Sequence, residues 1–184
     1  MKLTRLILPL TVALLFLVMV SGCDLIFDIP HPTDATLIED FPSKEPDLNK
    51  ILQMSNQDAK VIRIAYDFTR LENNWGWPRP ESELGFSRQR WDEYRALFRK
   101  LDLPVGIERA DQKDGVFVYF PVSTRGLGNG NGSGKGYAYL ERELSPLLDS
   151  LDDESVRQFY ERERPKNSVT LYRKLKGNWY LYRG

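Results

Sequence analysis

The sequence predicts an α+β fold in which an antiparallel sheet packs with about three helices in a single compact domain. Two pairs of β-rich runs flank polar turns and predict hairpins: VGIER (105–109) with VFVYFPV (116–122), and VTLYRKL (169–175) with WYLYR (179–183). Other stretches carry the three-to-four-residue apolar spacing of helices. Strands and helices do not alternate regularly, which argues against a parallel sheet.

The first half of the chain offers one short helix and one strand. Ser43 is a candidate N-cap for a helix whose buried stripe would contain Leu48, Ile51 and Leu52. The run VIRIAYDFTR (61–70) alternates apolar and other residues, which predicts a strand covered on one face.

A second helix is predicted to begin at Ser87 and to run to about Leu101, before Pro104. Its apolar residues share one face: Trp91, Tyr94, Phe98 and Leu101. We therefore expect this helix to lie on the sheet.

The last third of the chain predicts a strand and two helix starts. YAYLERE (137–143) has the composition of a strand. Ser145-Pro146 marks one helix start, and Ser150 with Asp153 three residues later marks another. The second helix would have an apolar stripe of Val156, Phe159 and Tyr160.

The N-terminus has the three parts of a secretory signal peptide. Lys2 and Arg5 form a basic start, and residues 6–20 are almost wholly apolar. A membrane span needs about 20 apolar residues, and this run ends before that length is reached. We therefore predict that residues 1–22 are removed.

The residues at the end of this segment specify the type of signal. Val20-Ser21-Gly22-Cys23 resembles the lipobox of bacterial lipoproteins: an aliphatic residue, two small residues and a cysteine. The resemblance covers residues 1–23, and Val20 stands where Leu is commoner. It implies cleavage between Gly22 and Cys23, and acylation of Cys23 with chains such as palmitate. Two or more acyl chains hold a protein stably on a bilayer.

Asp24 refines the expected location. An aspartate directly after the acylated cysteine resembles the signal that retains lipoproteins of enteric bacteria in the inner membrane. The resemblance therefore implies a lipid-anchored protein of the bacterial cell envelope, with the periplasmic face of the inner membrane favoured. Cys23 is the only cysteine, so we expect no disulfide.

Composition excludes several classes of function. Without residues 1–22 the chain has 24 basic and 26 acidic side chains, a net charge of about −2, which argues against nucleic acid as a partner. The single histidine is His31. A Ser-His-Asp triad or a multi-histidine metal site is therefore not expected, and we interpret His31 as a solvent-facing residue.

Two motifs were considered as ligand sites. The glycine-rich stretch 126–137 does not match a phosphate-binding loop, because Asn129 occupies the first glycine position and Gly136 the hydroxyl position. We interpret it as a surface loop, and we expect no nucleotide and no cofactor. WGWPRP is a stiff loop whose Trp75, Trp77 and Arg79 could stack on a glycan, although such tryptophans more often cover the end of a sheet.

These observations favour a lipid-anchored module with a binding, accessory or structural role and without catalysis. We expect residues 23–46 to be a lipidated tether, because four prolines resist regular structure, and residues 47–184 to be the domain. The partners would be membrane lipid through Cys23 and an envelope protein or a glycan. The alternatives are a carboxylate-dependent hydrolase of cell-wall glycan that uses the WGW loop, and a carrier with an apolar pocket.

Overall fold

A computed structural model of the chain describes residues 30–71, 86–112, 115–126, 132–163 and 169–184. These residues form three helices: α1 (Asp34–Gln57), α2 (Arg88–Leu101) and α3 (Glu154–Glu163). They also form seven strands: β1 (Val61–Ile64), β2 (Thr69–Leu71), β3 (Ile107–Gln112), β4 (Gly115–Arg125), β5 (Ser133–Leu140), β6 (Leu171–Lys176) and β7 (Trp179–Arg183).

The seven strands form one sheet in the order β2-β1-β3-β4-β5-β7-β6, and every neighbouring pair is antiparallel. The predicted α+β class is therefore confirmed. Both predicted hairpins are present, as β3–β4 and β6–β7. Gly177 turns the second hairpin with a φ of 53°, a left-handed conformation that glycine adopts without steric cost.

The main core lies on the face of the sheet that α1 and α2 cover. Phe41 of α1 packs with its ring centroid 5.6 Å from that of Tyr137 and 5.7 Å from that of Trp179. The predicted stripe of α2 is buried in the same core, and Ser87 caps this helix by accepting a hydrogen bond from the Arg90 amide. A smaller cluster covers the opposite face: Phe117, Ala138, Leu140, Tyr180 and Tyr182.

The prediction that residues 23–46 form a tether is wrong from residue 34 onward, because α1 begins at Asp34 with Thr33 as its N-cap. Residues 31–184 form one compact unit. Pro42 and Pro46 lie four residues apart on the exposed side of α1. Because proline has no N–H, two carbonyls of the preceding turns lose their amide partner. On the exposed side of the helix these carbonyls can accept hydrogen bonds from water, while the opposite side is buried.

Ser43 is not an N-cap. Its hydroxyl lies inside α1 and donates to the carbonyl of Asp40 at 2.8 Å. The predicted stripe of Leu48, Ile51 and Leu52 is nevertheless buried, so this part of the prediction is confirmed, whereas the helix begins at Asp34.

The run 61–70 is not a single strand. It contains β1 and the start of β2, which pair with each other across a turn closed by the Ala65 amide and the Phe68 carbonyl at 2.9 Å. The apparent alternation therefore spans a chain reversal.

Three boundaries in the last third of the chain also differ from expectation. No helix begins at Ser145, and α3 begins at Glu154 instead of Ser150, whose hydroxyl accepts a hydrogen bond from the Asp152 amide. Residues 133–137 of the glycine-rich stretch interpreted as a loop belong to β5, and residues 127–131 of that stretch lie outside the described residues. Extended backbone is favoured there because both neighbouring strands, β4 and β7, pair with it.

Candidate functional site

Several buried polar side chains lie together at one end of the sheet. The strand register places Ser123, Lys135, Arg183 and Leu171 in a single row across β4, β5, β7 and β6. We refer to these four residues as the Lys135 row. The chain also enters the domain at this end, because His31 contacts β4 and β5 here.

Lys135 is fully buried beneath the start of α1. Its Nζ lies 2.8 Å from Oδ1 of Asp34, the first residue of α1, and it also contacts Asp152. Arg173 of β6 reaches the second oxygen of Asp34 at 2.9 Å. A buried charge is stable only when it is paired and hydrogen-bonded, and this arrangement supplies both conditions.

Asp34 also connects α1 to the segment that precedes α3. Its Oδ2 accepts a hydrogen bond from the Leu151 amide at 2.8 Å, and its own amide donates to Asp152. Burial raises the pKa of Asp34, but the interactions with Lys135, Leu151 and Arg173 together outweigh burial and hold the pKa below its ordinary value of 3.8. Asp34 is therefore a carboxylate that fixes the position of residues 150–152.

The interpretation of His31 as a solvent-facing residue is wrong. Its Nδ1 lies 2.6 Å from the hydroxyl of Ser123 and its Nε2 lies 2.9 Å from that of Ser133. Burial lowers the pKa of His31 from 6.5 to about 4, and the charges of Arg125, Arg183 and Lys135 act in the same direction. The ring is therefore neutral at pH 7, with one nitrogen donating and the other accepting.

Arg183 extends this cluster to α3. Its guanidinium lies 5.0 Å from the centroid of the Tyr160 ring and 3.5 Å from a carboxylate oxygen of Glu161. It also donates to the Leu151 carbonyl at 3.5 Å. Because Tyr160 is fully buried, α3 is held against this end of the sheet by its inward side.

The outward side of α3 borders a pocket of about 560 Å³ beside strand β6. Three segments line it: residues 144–148, the first turns of α3, and the start of β6 with Thr170 before it. The described lining residues carry no charge: Leu144, Ser145, Pro146, Leu148, Ser155, Val156, Phe159, Thr170, Leu171 and Tyr172. Ligand pockets typically occupy about 300–1,000 Å³ and are mostly apolar, so both the size and the lining suit a small apolar group.

Two polar groups of Tyr172, at the side of the pocket, have partners within the protein. The hydroxyl of Tyr172 lies 2.6 Å from that of Tyr119, and the Tyr172 carbonyl accepts a hydrogen bond from the Leu148 amide at 3.0 Å. Burial and the hydrogen bond to Tyr119 raise the pKa of Tyr172, so its hydroxyl stays protonated. This lining favours binding over acid–base chemistry.

Phe159 forms part of the pocket rim with 43% of its surface exposed. Its ring lies 5.7 Å from the guanidinium of Arg162. The predicted stripe of α3 is thus divided, since Tyr160 faces the core while Val156 and Phe159 face the pocket. This division makes the start of α3 a candidate binding surface.

The ligand and anchor residues predicted from sequence lie outside the described residues. They are Gly22, Cys23, Asp24, Trp75, Trp77 and Arg79. Three of the carboxylates that lie near the WGW segment in sequence are described. Asp67 is exposed. Asp92 and Glu93 pair with arginines on their own helix, Arg95 and Arg90 respectively. In the described part of the chain, no group of three or more His, Cys, Asp or Glu side chains could hold a metal ion.

The chain matches no protein-family model, no curated protein and no solved structure. Among the described residues, no helix combines the length and the apolar composition needed to cross a membrane. The geometry of the domain and the sequence of residues 1–24 are therefore what a functional proposal can be built on.

Sequence reasoning missed the residues that organise this end of the sheet. Lys135 lies in the glycine-rich stretch that was interpreted as a surface loop, and His31 lies in the segment that was predicted to be a tether. The alternation of Lys135, Tyr137 and Tyr139 continues the strand pattern of residues 137–143 backward, and this signal could have placed Lys135 on the helix-covered face.

Proposed function

We propose that this chain is a bacterial envelope lipoprotein that is held on the membrane through acylated Cys23 and carries a non-catalytic binding domain. The anchor is supported by the basic, apolar and lipobox segments of residues 1–23. The binding role is supported by one observation above all, the charge-free pocket between residues 144–148, α3 and β6.

The start of the domain supports a position close to the bilayer. His31 is eight residues after Cys23, and eight fully extended residues span at most about 28 Å. Because His31 and Asp34 are bonded into the sheet end, the connection from domain to anchor is short. A domain on such a connection would stay near the membrane surface.

Incorporation of labelled palmitate in cells tests the anchor. The native chain should incorporate label and fractionate with membranes, whereas Cys23→Ala should do neither. A Ser21→Ala variant is a matched control, since it keeps a small residue at the cleavage site and should be processed normally. Label and membrane association in Cys23→Ala would contradict the anchor.

In-cell cross-linking followed by recovery of the tagged chain tests the binding domain. Phe159→Asp places a charge at the pocket rim and should remove the bound species. Ile38→Asp is the control, because Ile38 is an apolar helix residue with 37% exposure outside the pocket lining. Equal recovery from both variants would mean that the pocket is not the binding site.

The hydrolase alternative stays a prediction from sequence. Its stacking residues lie outside the described residues, and its described carboxylates on α2 are paired with arginines. No observation in the described part of the chain favours it over a binding role.

A further inference from the structure

We infer that the pocket binds an acyl chain of a lipid in the membrane that carries the protein. The inference rests on the proposed anchor, and it adds the chemical class of the ligand. It follows from the charge of the lining, from the hydrogen bonding beside the pocket, and from the position of the pocket in the sheet.

The lining selects against charged ligands. A carboxylate, phosphate or ammonium inside the pocket would lose its hydration, and none of the ten described lining residues carries a compensating charge. Apolar side chains lie on all three lining segments, among them Leu148, Val156, Phe159 and Leu171. An aliphatic chain gains from burial there without needing a polar partner.

The backbone beside the pocket disfavours a peptide as the occupant. Strand β6 is at the edge of the sheet, where an extended peptide could add by pairing with free backbone groups. At the pocket, however, the Tyr172 carbonyl already accepts a hydrogen bond from the Leu148 amide. A peptide would lose that pairing, whereas an acyl chain has no backbone to satisfy.

The pocket lies at the end of the sheet where the chain enters. Leu171, which lines it, belongs to the Lys135 row together with Ser123, the residue that His31 contacts. Three strand spacings of about 4.8 Å separate β4 from β6, which is about 14 Å. An anchor eight residues before His31 therefore leaves the pocket within reach of the bilayer surface.

Photo-cross-linking tests the inference on the full processed chain. The chain, purified from bacterial membranes, is reconstituted in vesicles of phosphatidylethanolamine and phosphatidylglycerol that contain a phospholipid with a diazirine near the end of one acyl chain. We expect adducts on peptides that contain residues 144–148, 155–159 and 170–172. A second arm supplies the same diazirine on a free fatty acid.

Two variants and one control locate the adducts. Phe159→Asp should lower pocket labelling by about tenfold or more, because it brings a charge to an apolar site. Val156→Trp should lower it by filling the pocket, and Ile38→Asp should leave it unchanged. Circular dichroism confirms that each variant is folded, and Val156→Trp serves as the test if Phe159→Asp is not.

The dependence on chain length gives an independent measure. When saturated fatty acids compete with the probe, their affinity for the pocket should rise by about fourfold for each added CH₂, until the chain is longer than the pocket. Binding that does not change with length would show that the site does not hold an aliphatic chain.

In the photo-cross-linking experiment, three outcomes would overturn the inference: adducts confined to residues 1–29, no adducts with either probe, or adducts from the free fatty acid alone. The last would exclude membrane lipid as the source. Flotation with the vesicles separates these results from a failure of the anchor. A chain that floats without pocket adducts disproves the ligand, and a chain that does not float disproves the proposed function.

Discussion

Replacing Lys135 tests whether the buried charges hold this end of the domain together. Lys135 is fully buried, and the side chain of Asp34 is only 4% exposed, so Lys135→Met leaves that carboxylate without its closest cation. Arg173 and the Leu151 amide remain as partners of Asp34. Removing one member of a buried ion pair costs about 3–5 kcal/mol, and the remaining partners favour the lower end of that range, about 3 kcal/mol.

The assay is urea unfolding followed by tryptophan fluorescence, because Trp91 and Trp179 are 3% and 4% exposed and report on the core. The control is Lys176→Met. Lys176 pairs with Glu45 at 2.8 Å, but it is 65% exposed, so the change should cost less than about 1 kcal/mol.

A double variant separates pairing from packing. Asp34→Asn with Lys135→Met removes both charges and should be less destabilised than the sum of the two single variants, as expected for residues in contact. If Lys135→Met lowers the free energy of unfolding no more than Lys176→Met does, the cluster does not stabilise the domain and our reasoning is wrong.

Three further predictions use the same unfolding assay. The pKa of His31 is lowered in the folded state. Its contribution to the free energy of unfolding is therefore complete above pH 6.5 and is lost as the pH falls toward about 4. After allowance for solvent screening, this loss of stability is about 1–2 kcal/mol. The His31→Gln variant should not show this loss between pH 6.5 and pH 4, although it should still be destabilised when its carboxylates are protonated. Gly136→Ala should destabilise the domain by more than about 3 kcal/mol, because the added Cβ would lie 2.2 Å from a backbone oxygen of β4. Gly134→Ala is the control. The nearest atom to its Cβ would be 3.6 Å away, so this change should cost less than about 1 kcal/mol. Trp91→Phe removes the 2.8 Å hydrogen bond to the Ala65 carbonyl and should cost about 1–3 kcal/mol; a change near zero would mean that water replaces the indole.

Much of the fold could be predicted because local signals agreed with packing. Helix α2 has a serine cap and an apolar stripe in register, and the hairpin at Gly177 joins two alternating runs. In both places the local pattern of a few residues agrees with the packing that the assembled fold provides.

The errors arose where distant contacts decide the structure. Helix α1 continues through Pro42 and Pro46 because Leu37 and Phe41 are buried against the sheet, which no local propensity could show. The burial of Lys135 depends on a carboxylate 101 positions earlier. Such pairings are visible only once the sheet is assembled.

The candidate site was predictable only in part. The apolar residues at the start of α3 were identified, but the pocket also needs residues 144–148 and the start of β6, which are remote in sequence. The anchor motif stays a prediction, since residues 1–29 lie outside the described part of the chain.

The order of the strands has a consequence for crowding. Strand β6 forms one margin of the sheet and carries Arg173, Lys174 and Lys176 in its six residues. Arg173 pairs with Asp34 and Lys176 with Glu45 within the domain, so a second copy that paired side by side through this margin would have to bury or break these ion pairs. If the proposed anchor gathers copies in the plane of a bilayer, these charged side chains at the margin would disfavour the joining of neighbouring sheets into a continuous one.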